Sequence, residues 1–238
     1  MAALTPHTLM RAAPSAADLG SIVAAALDGL ELSSVEAAEE CSSLRLLLLS
    51  SNLLTRIEAS VLRLSRLRKL DLSCNGVSAL PKRDEIRGHL PSLQILYLHG
   101  NQLATLKAAG ALAFLPSLLR LTLHDNPLAA HPNYRHFLVN SILPLRALDL
   151  HVISDEELIE GAHFPARFGA LGDAAALPLF HQGARVAGAT EAALVRELES
   201  EIAALNAVHA SLSPVLVLQS AARAKLARAD AADRRAAA

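Results

Sequence analysis

Leucine and its aliphatic relatives return through the middle of this chain in one fixed order. The segments read Leu44-x-x-Leu47-x-Leu49-x-x-Asn52-x-Leu54 and Leu67-x-x-Leu70-x-Leu72-x-x-Asn75-x-Val77. Two more follow, Leu93-x-x-Leu96-x-Leu98-x-x-Asn101-x-Leu103 and Leu118-x-x-Leu121-x-Leu123-x-x-Asn126-x-Leu128. Successive asparagines stand 23, 26 and 25 residues apart. Each Leu-x-Leu alternation predicts a short strand with one buried face, because neighbouring strand side chains point to opposite sides. The asparagine falls where the chain turns out of that strand, and its amide offers two donor hydrogens and an acceptor oxygen to backbone groups. A unit this short cannot bury its apolar face alone, but stacked units can. The pattern therefore predicts an α/β solenoid with short parallel strands on its concave face.

The flanks are less regular. Leu90-Pro91-Ser92-Leu93, Leu115-Pro116-Ser117-Leu118 and Leu143-Pro144-Leu145 place a proline before a strand, where it stops the returning segment from continuing as helix. A fifth unit, Leu145-x-x-Leu148-x-Leu150, carries Ile153 in place of the asparagine, as a terminal repeat closing the core would. Leu27-x-x-Leu30-x-Leu32 reads as a degenerate first strand, and Ser15 to Leu27 as one helix. The expected parts are an N-terminal segment 1–26, partly helical or without fixed structure, and a repeat domain with its C-terminal cap at 27–168. A Gly/Ala-rich linker at 169–189, an acidic amphipathic helix at 190–213 and a basic helix at 214–238 complete the chain. In the acidic helix Leu194, Leu198, Ile202, Leu205, His209 and Leu212 recur at intervals of three and four. Glu191, Glu197, Glu199 and Glu201 against Arg196 give it −3. Beyond Ser213-Pro214, five cations against Asp230 and Asp233 give +3, so the two helices could pair.

The period lies in the window of roughly 20–29 residues typical of leucine-rich repeats, and the expected architecture is a leucine-rich-repeat horseshoe with a helical C-terminal extension. The run Asn133-Tyr134-Arg135-His136-Phe137-Leu138-Val139 through Leu148-Asp149, with Ser154 and Glu157 as a capping box, resembles the C-terminal cap of repeat proteins of the phosphatase-regulator and spliceosomal types. The segment Leu218-Gln219-x-x-x-Arg223-Ala224-x-x-x-Arg228 resembles an IQ motif. Leu218 and Leu226 can enter the apolar groove of a calmodulin-type lobe. Gln219 can bond across the partner, and Arg223 and Arg228 can pair with its acids. Together these parts resemble the leucine-rich-repeat proteins that carry an IQ motif. The resemblance implies a non-enzymatic interaction protein, binding of calmodulin or a calmodulin-like light chain, and a place in motile cilia or flagella.

Composition narrows the alternatives. A formal charge of −1 gives no basic excess for nucleic acid or an anionic membrane, and no apolar run approaches the ~20 residues of a membrane span. Cys41 and Cys74 are the only cysteines, which suits a reducing, cytoplasmic setting. No phosphate-binding loop, nucleophile elbow or zinc-protease motif is present, so neither an enzyme nor a cofactor is expected.

With the fourth and sixth positions of each unit inside, the third, fifth and seventh face the concave surface. Leu46, Leu48, Ile95 and Tyr97 are apolar where water would favour polar groups, with Arg120 and Thr122 beside them. They form the expected protein-binding face. His99, His124 and His151, at the seventh position, belong to the same expected protein-binding face; they are expected to stack as a ladder at about 4.8 Å per step, long for one metal ion but able to respond to pH near neutrality. An alternative reading makes the chain a phosphatase-regulatory or RNA-processing subunit acting through the concave face alone.

Overall fold

The computed structural model describes residues 2–153 and 189–212. Its main sheet takes one strand from each turn: β2 (Ala24–Ala26), β4 (Leu46–Leu48), β5 (Lys69–Asp71), β6 (Ile95–Tyr97), β7 (Arg120–Thr122) and β8 (Ala147–Leu148), all parallel. β9 (His151–Val152) closes the sheet antiparallel to β8. The register aligns Ala25, Leu47, Leu70, Leu96, Leu121 and Leu148 in one row pointing inward. These, with Leu49, Leu72, Leu98 and Leu123, fill a buried core that runs the length of the stack. Short helices α2 (Ala59–Leu62), α3 (Arg83–Ile86) and α4 (Leu106–Ala109) return the chain on the convex side.

The asparagines act as the sequence pattern requires. Asn101 Oδ1 accepts the Val77 amide of the preceding turn at 2.9 Å, while its Nδ2 donates to the carbonyls of Leu72 and Leu98, both at 2.9 Å. Asn52, Asn75 and Asn126 repeat this arrangement in their own turns. One residue earlier in each turn the backbone is left-handed: Ser51, Cys74, Gly100 and Asp125 have φ of 56°, 53°, 67° and 56°. The ladder tolerates three non-glycine residues in that strained region because the amide bonds on either side hold it there.

Two expectations about the N-terminus are corrected. The first turn is Ile22-x-x-Ala25-x-Leu27, five residues earlier than the sequence pattern suggested. Gly29 takes the left-handed position at φ 68°, and Leu30, 41% exposed, takes the asparagine's place. Alanine at the inward position hid this strand. The region 15–27 is not one helix: a short 3-10 turn at Leu19–Ser21, boxed by Asp18, precedes β2. The helix is α1 (Pro6–Ala12), with Thr5 as its cap and proline in its first turn. Its Leu9, with Leu4 and Ala13, is buried on the open end of the core, while β1 (Ala2–Ala3) pairs with β3 (Leu32–Ser34). Residues 2–21 thus close the solenoid's N-terminal end.

At the other end α5 (Tyr134–Ser141) covers the last turn. The Tyr134 hydroxyl donates to Asp149 Oδ2 at 2.8 Å, and Asp149 Oδ1 accepts the amides of Leu123 and His124. Burial, then the Asp149 charge, pushes the Tyr134 hydroxyl far above its usual pKa. The capping box of Ser154 and Glu157 and most of the linker lie outside the described residues.

Asn101→Ala should cost on the order of 2–4 kcal/mol in urea denaturation, since it strands one buried amide and two carbonyls. A loss below about 0.5 kcal/mol would contradict the ladder's role.

Candidate binding groove

Strand pleating places the third position of every turn on the concave side. The resulting row is Ala24, Leu46, Lys69, Ile95, Arg120 and Ala147, and all six are buried. What covers them is the chain itself. Helix α6 (Glu191–Leu212) lies across the strands and seats Leu194, Leu198, Ile202 and Leu205 on Ala24, Leu46, Leu48, Ile95 and Ala147, with Tyr97 at the margin. The fifteen helical steps from Glu191 to Asn206 span roughly 22 Å. The five strand spacings from β2 to β8 span about 24 Å. The helix fits the width of the sheet.

Three polar contacts fix its position. Midway, Glu201 sits on the apolar stripe with Leu194, Leu198 and Leu205. Its Oε2 lies 2.6 Å from Lys69 Nζ and its Oε1 2.8 Å from Arg120 Nη1, and Oε1 also accepts from the Tyr97 hydroxyl. Lys69 is 7% and Arg120 1% exposed. Both cations also approach the Tyr97 ring, at 5.0 and 5.3 Å from its centre. Burial, then the Glu201 charge, pushes the Tyr97 hydroxyl well above its ordinary pKa, so it stays protonated and donates. At the far end Arg146 donates to the Asn206 side-chain Oδ1.

The third contact repairs the sheet. In each later turn two consecutive amides donate to a single carbonyl of the turn before: Arg45 and Leu46 to Val23, Arg68 and Lys69 to Arg45, and so on to Arg146 and Ala147 on Leu119. The first turn has no predecessor. There Glu191 Oε1 accepts the amides of Val23 and Ala24, standing in for the missing carbonyl. Asp149 does the same at the opposite end, where its carboxylate replaces a strand carbonyl for Leu123.

Six of the expected protein-binding residues are therefore brought together, but under an intramolecular occupant. Leu46, Leu48 and Ile95 are buried with the helix, Tyr97 and Arg120 hold its carboxylate, and Thr122 is buried in the floor. The acidic helix docks on the concave face, with its stripe on the groove floor. The histidine ladder is shorter than expected. His99 and His124 stack with centres 4.6 Å apart, whereas Asp149, at φ 55°, turns the chain so that His151 is exposed in β9. Sequence reasoning missed Lys69, Glu191 and Glu201. The available signal was a lone acid within an apolar helix stripe and two cations within an apolar strand column. Leu218, Gln219, Arg223, Leu226 and Arg228 lie outside the described residues.

Comparison with known proteins agrees with this geometry. A family profile described as Leucine-rich repeat matches residues 35–166. Over 203 residues the chain is 40% identical to "Leucine-rich repeat and IQ domain-containing protein 3" of Homo sapiens, covering 84% of this chain and 32% of that protein. The Rattus norvegicus protein of the same name is 40% identical over 194 residues, 81% of this chain and 30% of its own length. The chain thus spans about a third of the length of these curated relatives. Among solved structures, a chain of the Drosophila melanogaster SNF/U2A' complex shares the fold, with a TM-score of 0.53 at 24% identity over 66% of this chain and 89% of that one.

His99 Nδ1 lies 2.8 Å from Thr122 Oγ1. Burial, then His124, holds its pKa below the ordinary histidine value, while Asp71, Asp125 and Asp149 pull it upward. A depressed folded value means the stability it confers is complete above about pH 6.5 and is lost as pH falls below it. The urea midpoint should drop between pH 7.5 and about pH 5.5, and His99→Gln should reduce that drop. An unchanged pH dependence in the variant would exclude His99 as its source.

Proposed function

Because this chain belongs to the leucine-rich-repeat family, we propose that it is a non-enzymatic interaction scaffold whose segment 214–238 recruits calmodulin or a calmodulin-like light chain. The observation carrying this reading is a coincidence of two features. The relatives that match most of this chain are named for a leucine-rich repeat and an IQ domain, and Leu218, Gln219, Arg223, Leu226 and Arg228 present an IQ-like spacing in this sequence. Leu218 and Leu226 supply apolar anchors, Gln219 a bridging amide, and the two arginines pair with acids of the partner lobe. The same resemblance supports a cytoplasmic place in cilia or flagella.

A phosphatase-regulatory or RNA-processing subunit acting through the concave face alone is less favoured, because that face already holds α6. The full chain should retain calmodulin on beads, tested with calcium and with chelator. Arg223→Ala with Arg228→Ala should weaken retention at least about tenfold, as expected for loss of two charge-assisted contacts. No retention in either buffer would end this reading.

A further inference from the structure

We propose that the concave groove is a receptor for an amphipathic helix carrying a carboxylate in the middle of its apolar stripe. In this reading α6 is a built-in occupant that such a helix from a partner protein replaces. The proposal deepens the scaffold reading and rests on it only for the existence of a partner; failure of calmodulin binding leaves it intact.

The solenoid does not need α6 for its core. The apolar residues under the helix form a cluster separate from the continuous core between the sheet and the convex segments. Vacating the groove therefore uncovers Leu46, Leu48 and Ile95 without opening the interior. The floor also selects its ligand by charge. Lys69 and Arg120 flank Ile95 across three adjacent strands, largely removed from water by an apolar surround. Asp71, buried beside Tyr97, is one acid on this floor; under an apolar cover, a second carboxylate reaching both cations offsets their desolvation, so a helix that carries one is favoured over a helix that does not.

The occupant describes the partner it would yield to. Apolar side chains stand at the places of Leu194, Leu198, Ile202 and Leu205, an acid at the place of Glu201, and a second acid ten residues earlier for the bare amides of β2. Because α6 belongs to the same chain as the solenoid, its docking is intramolecular, with an effective concentration on the order of millimolar. A partner helix must exceed that threshold, so the tethered copy screens out weak ligands.

The test uses the full chain and a fluorescent peptide of residues 190–212. Glu201→Lys would set a third cation beside Lys69 and Arg120 and vacate the groove. The peptide should bind this variant about a hundredfold more tightly than it binds the wild-type chain, the ratio expected for removing a tethered competitor. The same peptide with Glu201→Gln should bind at least about tenfold more weakly, having lost the buried charge pair. Leu198→Asp serves as a second vacated chain should Glu201→Lys not melt cooperatively. Three results would overturn the proposal: no peptide binding to a folded vacated chain, equal binding of the glutamate and glutamine peptides, or a wild-type dimer that Glu201→Lys makes monomeric. The last would assign the groove to a second copy's helix.

Discussion

Every turn of this solenoid has to leave its strand without stranding the backbone groups at the bend. The asparagine side chain meets that constraint. One amide accepts from the turn before and donates to carbonyls of both turns, so a turn can form in this shape only against a neighbour. Stacking, register and the left-handed bend follow from it. Where the stack ends, the requirement persists, and side chains from elsewhere meet it: Asp149 at the C-terminal end and Glu191 at the N-terminal edge.

The groove is a consequence of the same geometry. Parallel strands at equal spacing present a flat row of third-position side chains, and here that row alternates between aliphatic and cationic residues. Such a surface suits neither water nor a purely apolar cover. Helix α6 answers both demands with four aliphatic residues and Glu201, so recognition centres on a carboxylate that reaches both cations within an apolar contact.

How much could be read from the chain depends on how local each interaction is. The repeats from Leu44 to Leu128 were legible because each strand declares itself through leucines at fixed offsets. The first turn was not, since Ala25 replaces leucine and Leu30 replaces asparagine; its identity comes from pairing with Leu46–Leu48. Acidic and amphipathic character identified α6 as a helix with one sticky face. Its destination lay in contacts spanning more than a hundred residues, such as Lys69 with Glu201, which no period reveals. The shortened histidine stack has a local cause, the left-handed Asp149, but that conformation answers to Tyr134 and to Leu123 across the cap.

The stand-in carbonyl supplied by Glu191 has a temporal side. It meets amides lying 168 and 167 residues earlier. At ribosomal speeds of ~5–20 residues per second, the leading strand emerges roughly ten to thirty seconds before the group that completes it. For that interval the nascent chain shows an unfinished margin, the kind of surface that invites pairing with other strands. A product released before residue 191 would keep the Val23 and Ala24 amides at that margin uncapped.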